Sequence, residues 1–223
     1  SPVEVTKATL ARIEKFNPQF NAFRLVDAEK ALADAKASEE RWIKGEPAGL
    51  VDGVPSTIKD LVDTKGWSTR RGSLTTSDNG TWENDAPLVA RLRENGAVLL
   101  GKTTTPEFGW KGVTDSPLTG ITRNPWNPEK TPGGSSGGAA AAAAACLGAL
   151  HHGSDGGGSI RMPSGYTGIY GLKPTFGRVP TWPASGFGTL SHQGPMTRTV
   201  SDAALMLTVM AQTDSRDWYA LPA

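Results

Sequence analysis

The sequence predicts an α/β layered fold, and three observations carry that prediction. Amphipathic stretches with helix-capping signals recur along the chain, an apolar run directly follows one of them, and the segments between are rich in Gly, Pro, Ser and Asn. Helical and strand patterns that alternate in this way bury one face of each element against a neighbouring layer. With 223 residues the chain is long enough to form one domain with its own core. Residues 1–223 are read as that single domain.

The elements follow in order. Ser1-Pro2-Val3-Glu4 is a capping box with proline at the first helical position. Val3, Leu10 and Ile13 then share a helical face, and Asn17-Pro18 is the expected stop. A second helix is predicted from Asp27 to Trp42, with Ala28, Leu32, Ala35 and Trp42 on one face and Gly45 and Pro47 closing it. Leu50 to Ile58 reads as a strand and turn leading to Lys59, and residues 66–84 as loop. Asn84 to Pro87 starts a helix that ends at Gly96, and Ala97 to Gly101 is a buried strand behind it. Residues 111–134 read as a long loop. The alanine run is a helix opening at Ser135 to Gly138, Ala149 to Gly153 is a short strand, and a last helix spans Ser201 to about Gln212.

Composition excludes several functions. Lys and Arg number 23 against 22 Asp and Glu, so no net field draws the chain to nucleic acid or an anionic membrane. No apolar run approaches the roughly 20 residues of a membrane span. The single cysteine, Cys146, excludes an internal disulfide framework and suits a reducing, cytoplasmic compartment. It is expected to be a small buried residue at the end of the alanine helix. Neither GxxxxGK[ST] nor GxGxxG in a strand-turn-helix setting occurs, which argues against phosphate binding.

The most informative stretch runs from Thr131 to Arg161. It reads TPGGSSGG, seven alanines, CLGALHH and GSDGGGSIR. Glycine at this density suits close approach of backbone N–H groups to a ligand or reacting atom. A serine hydroxyl is a weak nucleophile and needs a base. His151 and His152 are neighbours on a predicted strand, so they point to opposite faces and cannot both serve one site; a hydrogen-bonded structural role is expected. A lysine held neutral by burial can replace histidine, and Lys59, in the otherwise uncharged Val54 to Ile58 context, is the candidate.

These blocks resemble the amidase signature family of serine hydrolases. VPSTIKD, GGSSGG and GSDGGGSIR occur in the family's order, with its separation between the two serines. TPEFGW, NPWNP, GLKPTFGRVP and GPMTRTVSDAALML extend the likeness over almost the whole chain. The resemblance implies a mixed central β-sheet covered by helices on both faces, incomplete because family members are roughly twice as long. It also implies Ser159 as nucleophile, Ser135 as a bridging serine preceded by a cis peptide, and Lys59 as base. Gly156, Gly157 and Gly158, with Ser159, would supply oxyanion donors. Ser136, Asp155 and Arg161 would support the site: Ser136 at Lys59, and Asp155 and Arg161 by holding the loop. Trp110 would line the acyl pocket or belong to the core.

The function implied is hydrolysis of a small carboxamide through an acyl-enzyme, with no cofactor. The A subunit of the tRNA-dependent amidotransferase, which hydrolyses glutamine and passes ammonia to partner subunits, is the second reading. That subgroup usually carries DTGGSIRQP where this chain has DGGGSIRMP. A non-catalytic fragment retaining the signature is the third. The expected partners are a small-molecule amide and either a second copy or a missing C-terminal portion.

Overall fold

The computed structural model describes residues 1–222. Six strands form a mixed sheet in the order β1-β3-β2-β6-β8-β7. Strands β2 (Pro55–Lys59), β3 (Val98–Thr103) and β6 (Leu150–Asp155) run parallel at its centre. Flanking them, β1 (Phe23–Val26) on one side and β8 (His192–Thr197) on the other run antiparallel to the centre, and β7 (Tyr170–Gly171) pairs antiparallel with β8 at the edge. A small hairpin, β4 (Asp115–Ser116) with β5 (Gly120–Ile121), lies within the expected long loop.

Helices cover both faces of the sheet, as strand alternation in β3 makes plain. Val98 and Leu100 pack with Ile13 of α1 (Pro2–Phe20), Ala31 and Ala35 of α2 (Ala28–Lys44), and Ala141 and Ala142 of α4 (Gly137–Ala144). Leu99 points the other way, into a core with Leu88 and Leu92 of α3 (Pro87–Glu94) and Met206 and Val209 of α6 (Val200–Met210). Helix α5 (Arg161–Thr167) follows the glycine-rich loop.

Several boundaries differ from expectation. Helix α1 continues through Pro18 to Phe20 and ends at Asn21, whose φ is 51°. The stop moves because Asn17 accepts the N–H groups of Ala22 and Phe23 through its side chain, closing the end beyond the proline. The buried face of α2 is Ala31, Ala35 and Ser38, while Ala28 and Trp42 are exposed. Small residues on this face suit close packing against α1. Helix α6 starts at Val200, one residue earlier than expected, and is capped by Thr199, whose hydroxyl accepts from the Asp202 N–H. Cys146 is only half-buried: its φ is 56°, and Arg198 donates to its Sγ at 3.0 Å.

Candidate active site

The three sequence blocks meet at one edge of the sheet. Because β2 and β6 are parallel, their carboxyl ends fall together, and these ends carry Lys59 and the loop after Asp155. Such edges are where open α/β sheets hold ligands. The start of α4 brings Ser135 and Ser136 to the same place. The close approach requires glycine at 138, where a Cβ would lie 2.4 Å from the Thr104 backbone nitrogen. The Gly134–Ser135 peptide is cis.

Lys59 is fully buried. Its Nζ lies 2.7 Å from Ser135 Oγ, 2.9 Å from Ser136 Oγ and 3.0 Å from Ser154 Oγ. Burial strips water from the amine and pulls its pKa down to about 7, against the opposing attraction of the Asp155 carboxylate. Ser136 donates its own proton to the Ser154 carbonyl, so toward Lys59 it is an acceptor. Ser135 and Ser154 remain as hydroxyls able to return a proton to a neutral amine. Ser154 had no distinguishing mark in the sequence beyond being one serine in GSDGGGS.

Asp155 holds the glycine loop. Its Oδ1 accepts from the Gly158 N–H at 2.7 Å, and its Oδ2 accepts from the N–H groups of Ile160 and Arg161 at 3.1 and 3.3 Å. The Arg161 guanidinium closes a two-pronged ion pair at 2.9 and 3.0 Å. Burial alone would raise the carboxyl; the Arg161 bonds and the three N–H groups overcome it and hold the pKa at about 2. One expectation is corrected here. The Gly158 N–H is committed to Asp155 and is not free for an oxyanion, whereas those of Gly156, Gly157 and Ser159 donate to no group among the described residues.

Ser159 and Ser135 line a cavity of about 260 Å³ together with Gly156, Gly157 and Met162. A second cavity of about 370 Å³ adjoins it, with Leu61, Trp110, Ser154 and Phe187 shared between the two. Trp110 is exposed and not core. Its ring stacks on Phe187 at 5.4 Å, and the pair stands where the cavities meet.

A buried ion cluster behind the site escaped the sequence reading. Lys102 Nζ donates to the Val62 carbonyl at 2.5 Å and to the Thr64 and Thr69 hydroxyls, 3.8 Å from Asp60, which Arg24 also pairs. This fixes the 61–71 segment, whose Leu61, Val62 and Arg71 wall the larger cavity. A lysine directly after the apolar run Ala97 to Gly101, still within β3, was the available signal. His151 and His152 are both fully buried: Thr57 Oγ1 lies 2.9 Å from His151 Nδ1, and His152 bonds Gln193. Among the described residues no cluster of three or more His, Cys, Asp or Glu side chains is arranged to hold a metal, and no helix is long and apolar enough to cross a membrane.

Comparison with known proteins places this geometry. Over 230 residues the chain is 43% identical to the indoleacetamide hydrolase of Bradyrhizobium diazoefficiens, covering 100% of this chain and 44% of that protein. It is 47% identical to the A subunit of the glutamyl-tRNA(Gln) amidotransferase of Methylococcus capsulatus, covering 97% and 44%. A bacterial aryl acylamidase structure of the amidase signature family superimposes with a TM-score of 0.92 at 36% identity, covering 100% of this chain and 47% of that one. The chain thus spans less than half the length of these relatives. The Amidase family pattern matches residues 4–223, and the chain belongs to that family.

Proposed function

We propose that this polypeptide carries the catalytic core of an amidase that cleaves a small carboxamide through an acyl-enzyme on Ser159. The observation that carries this reading is the fully buried Lys59 amine, with a pKa of about 7, bonded to Ser135 Oγ at 2.7 Å beside a cavity that Ser135 and Ser159 share. Ser159 Oγ attacks the amide carbon as its proton passes to Ser135 and the Ser135 proton passes to Lys59 Nζ. The N–H groups of Gly156, Gly157 and Ser159 receive the oxyanion. Collapse breaks the C–N bond. Ser135 gives a proton to the departing nitrogen and is refilled from Lys59, so the product leaves as neutral ammonia or amine. Water then attacks the ester, loses its proton along the same path, and releases a carboxylate and free Ser159.

Ser136 positions Lys59 in this scheme, and Asp155 and Arg161 hold the loop that carries the donors. A cytoplasmic location fits the single cysteine. Further polypeptide, corresponding to the part of the relatives this chain does not cover, would complete the substrate enclosure. A second reading, glutamine hydrolysis supplying ammonia to partner subunits, draws on the 47% identity to an amidotransferase A subunit.

Hydroxylamine trapping tests the reading. Incubation with benzamide and hydroxylamine should release benzohydroxamate alongside benzoate and ammonia, and Ser159→Ala should release none. Equal hydroxamate from the Ser159→Ala protein would refute the acyl-enzyme.

A further inference from the structure

A buried polar chain beside the site has no part in the scheme above. The β2–β6 ladder pairs Ser56 with Leu150 and Thr57 with His151. Past that point the His152 ring takes over: its Nδ1 lies 3.3 Å from the Lys59 backbone N–H, and its Nε2 lies 2.8 Å from Gln193 Oε1. A backbone N–H can only donate, so Nδ1 is the accepting nitrogen and the neutral ring carries its proton on Nε2. The ring is neutral because burial lowers its pKa to about 3, against the Gln193 bond and with the Lys59 and Lys102 charges adding to the drop. An Nε2–H donor demands the amide oxygen of Gln193. That fixes the orientation of the carboxamide and turns its NH2 away from His152.

Gln193 stands directly opposite Ser154 in the β6–β8 ladder, so the two side chains share a sheet face. Both line the 370 Å³ cavity, and Ser154 is itself bonded to Lys59 Nζ. The Gln193 amide nitrogen has no hydrogen-bond partner among the described residues. Much of the surrounding wall is apolar, with Leu88, Phe108, Trp182 and Phe187.

We propose that Gln193 is a specificity-determining hydrogen-bond donor for the non-reacting end of the substrate, and that His152 is the positioning residue that fixes its polarity. The inference rests on the amidase reading and names its substrate class: carboxamides with a flat apolar body that carries a carbonyl or similar acceptor oxygen away from the amide. The cavity is also lined by Asp63, Arg71 and several hydroxyls, and a donor of fixed direction at Gln193 favours such ligands over isosteres that lack the acceptor.

The test compares 4-acetylbenzamide with 4-isopropenylbenzamide, whose branched sp2 group replaces the carbonyl oxygen with CH2, by NMR titration of the full chain. The Gln193 side-chain amide signals are identified by their loss in Gln193→Glu. The acetyl compound should bind roughly 3- to 10-fold tighter, the range expected of one hydrogen bond. Gln193→Met should equalise the two compounds. Gln193→Glu, nearly isosteric but an acceptor, should invert the preference, which a purely structural role would not do. Long-range proton–nitrogen spectra should place the His152 proton on Nε2. Equal binding in the parent protein, no binding of either compound, a preference untouched by Gln193→Glu, or a proton on Nδ1 would each overturn the proposal. Fluorophosphonate labelling of Ser159, run alongside, separates the two readings. A labelled serine with no acetyl preference removes the Gln193 role alone, and an acetyl preference without labelling keeps that role and removes the catalytic scheme.

Discussion

Replacing Lys59 with methionine should stabilise the protein at neutral pH while slowing the proposed acylation of Ser159. Burial carries the amine from an ordinary value of 10.5 to about 7. At about 1.4 kcal/mol per pH unit, that displacement is a cost to the fold of about 5 kcal/mol. Below pH 7 the amine is protonated in both states and the full cost applies. Between pH 7 and 10.5 the unfolded chain binds a proton that the folded chain does not, so stability rises with pH and the cost disappears. Methionine matches the length and removes the cost, but forfeits three hydrogen bonds to Ser135, Ser136 and Ser154, together worth about 3 kcal/mol. Lys59→Met should therefore be about 2 kcal/mol more stable than the parent at pH 6–7 and about 3 kcal/mol less stable near pH 10.5. Urea unfolding of both proteins across this pH range measures the difference, in which other titrations cancel. A variant less stable by the same amount at pH 6 and pH 10 would refute the claim that the buried amine carries this cost.

Other outcomes follow from the same geometry. The rate of Ser159 acylation should rise with pH through a midpoint of about 7 and level off above it, as the Lys59 amine becomes neutral; a rate flat from pH 5 to 9 would contradict this. Asp155→Asn should cost about 2 kcal/mol in urea unfolding, since the loop N–H groups lose a charged acceptor while the exposed Arg161 is resolvated. Because the Asp155 pKa lies at about 2, below its ordinary 3.8, its contribution is complete above pH 3.8 and is lost as pH falls through 2. The parent protein should show that acid-linked loss, and the asparagine variant should not. Gly138→Ala should destabilise by about 2 kcal/mol, because the added Cβ meets the Thr104 nitrogen at 2.4 Å and the Ala22 carbonyl at 2.6 Å; an unchanged urea midpoint would show that α4 shifts freely.

The site was legible where chemistry leaves a local trace, and obscure where it depends on pairing across the sheet. VPSTIKD, GGSSGG and GSDGGGSIR each carry their own residue types, and it was the family resemblance these blocks carry that pointed to Lys59, Ser135, Ser136 and Ser159. Helices α2, α3 and α4 were visible in their apolar period, flanking glycines or alanine content. Strand β8 was not, because HQGPMT holds a glycine and a proline that read as a turn. Pro195 is accommodated there through its carbonyl, which accepts from Leu172. Strand β1 has only four residues, one of them Arg24, and its charge is explained only by the distant Asp60. Helix α5 hides behind Pro163 and Gly165. Nothing in GGGS marks Gly158 as the glycine whose N–H is taken by the Asp155 carboxylate. Gln193 and Ser154 needed the β6–β8 register before they could be seen as neighbours.

Peptide mapping after fluorophosphonate treatment tests the central claim most directly. The account predicts a single adduct on Ser159, absent in Ser159→Ala and formed roughly 10²- to 10⁴-fold more slowly in Lys59→Met, the range expected when a positioned base is removed. An adduct whose rate ignores Lys59, or no adduct on the folded protein, would contradict it.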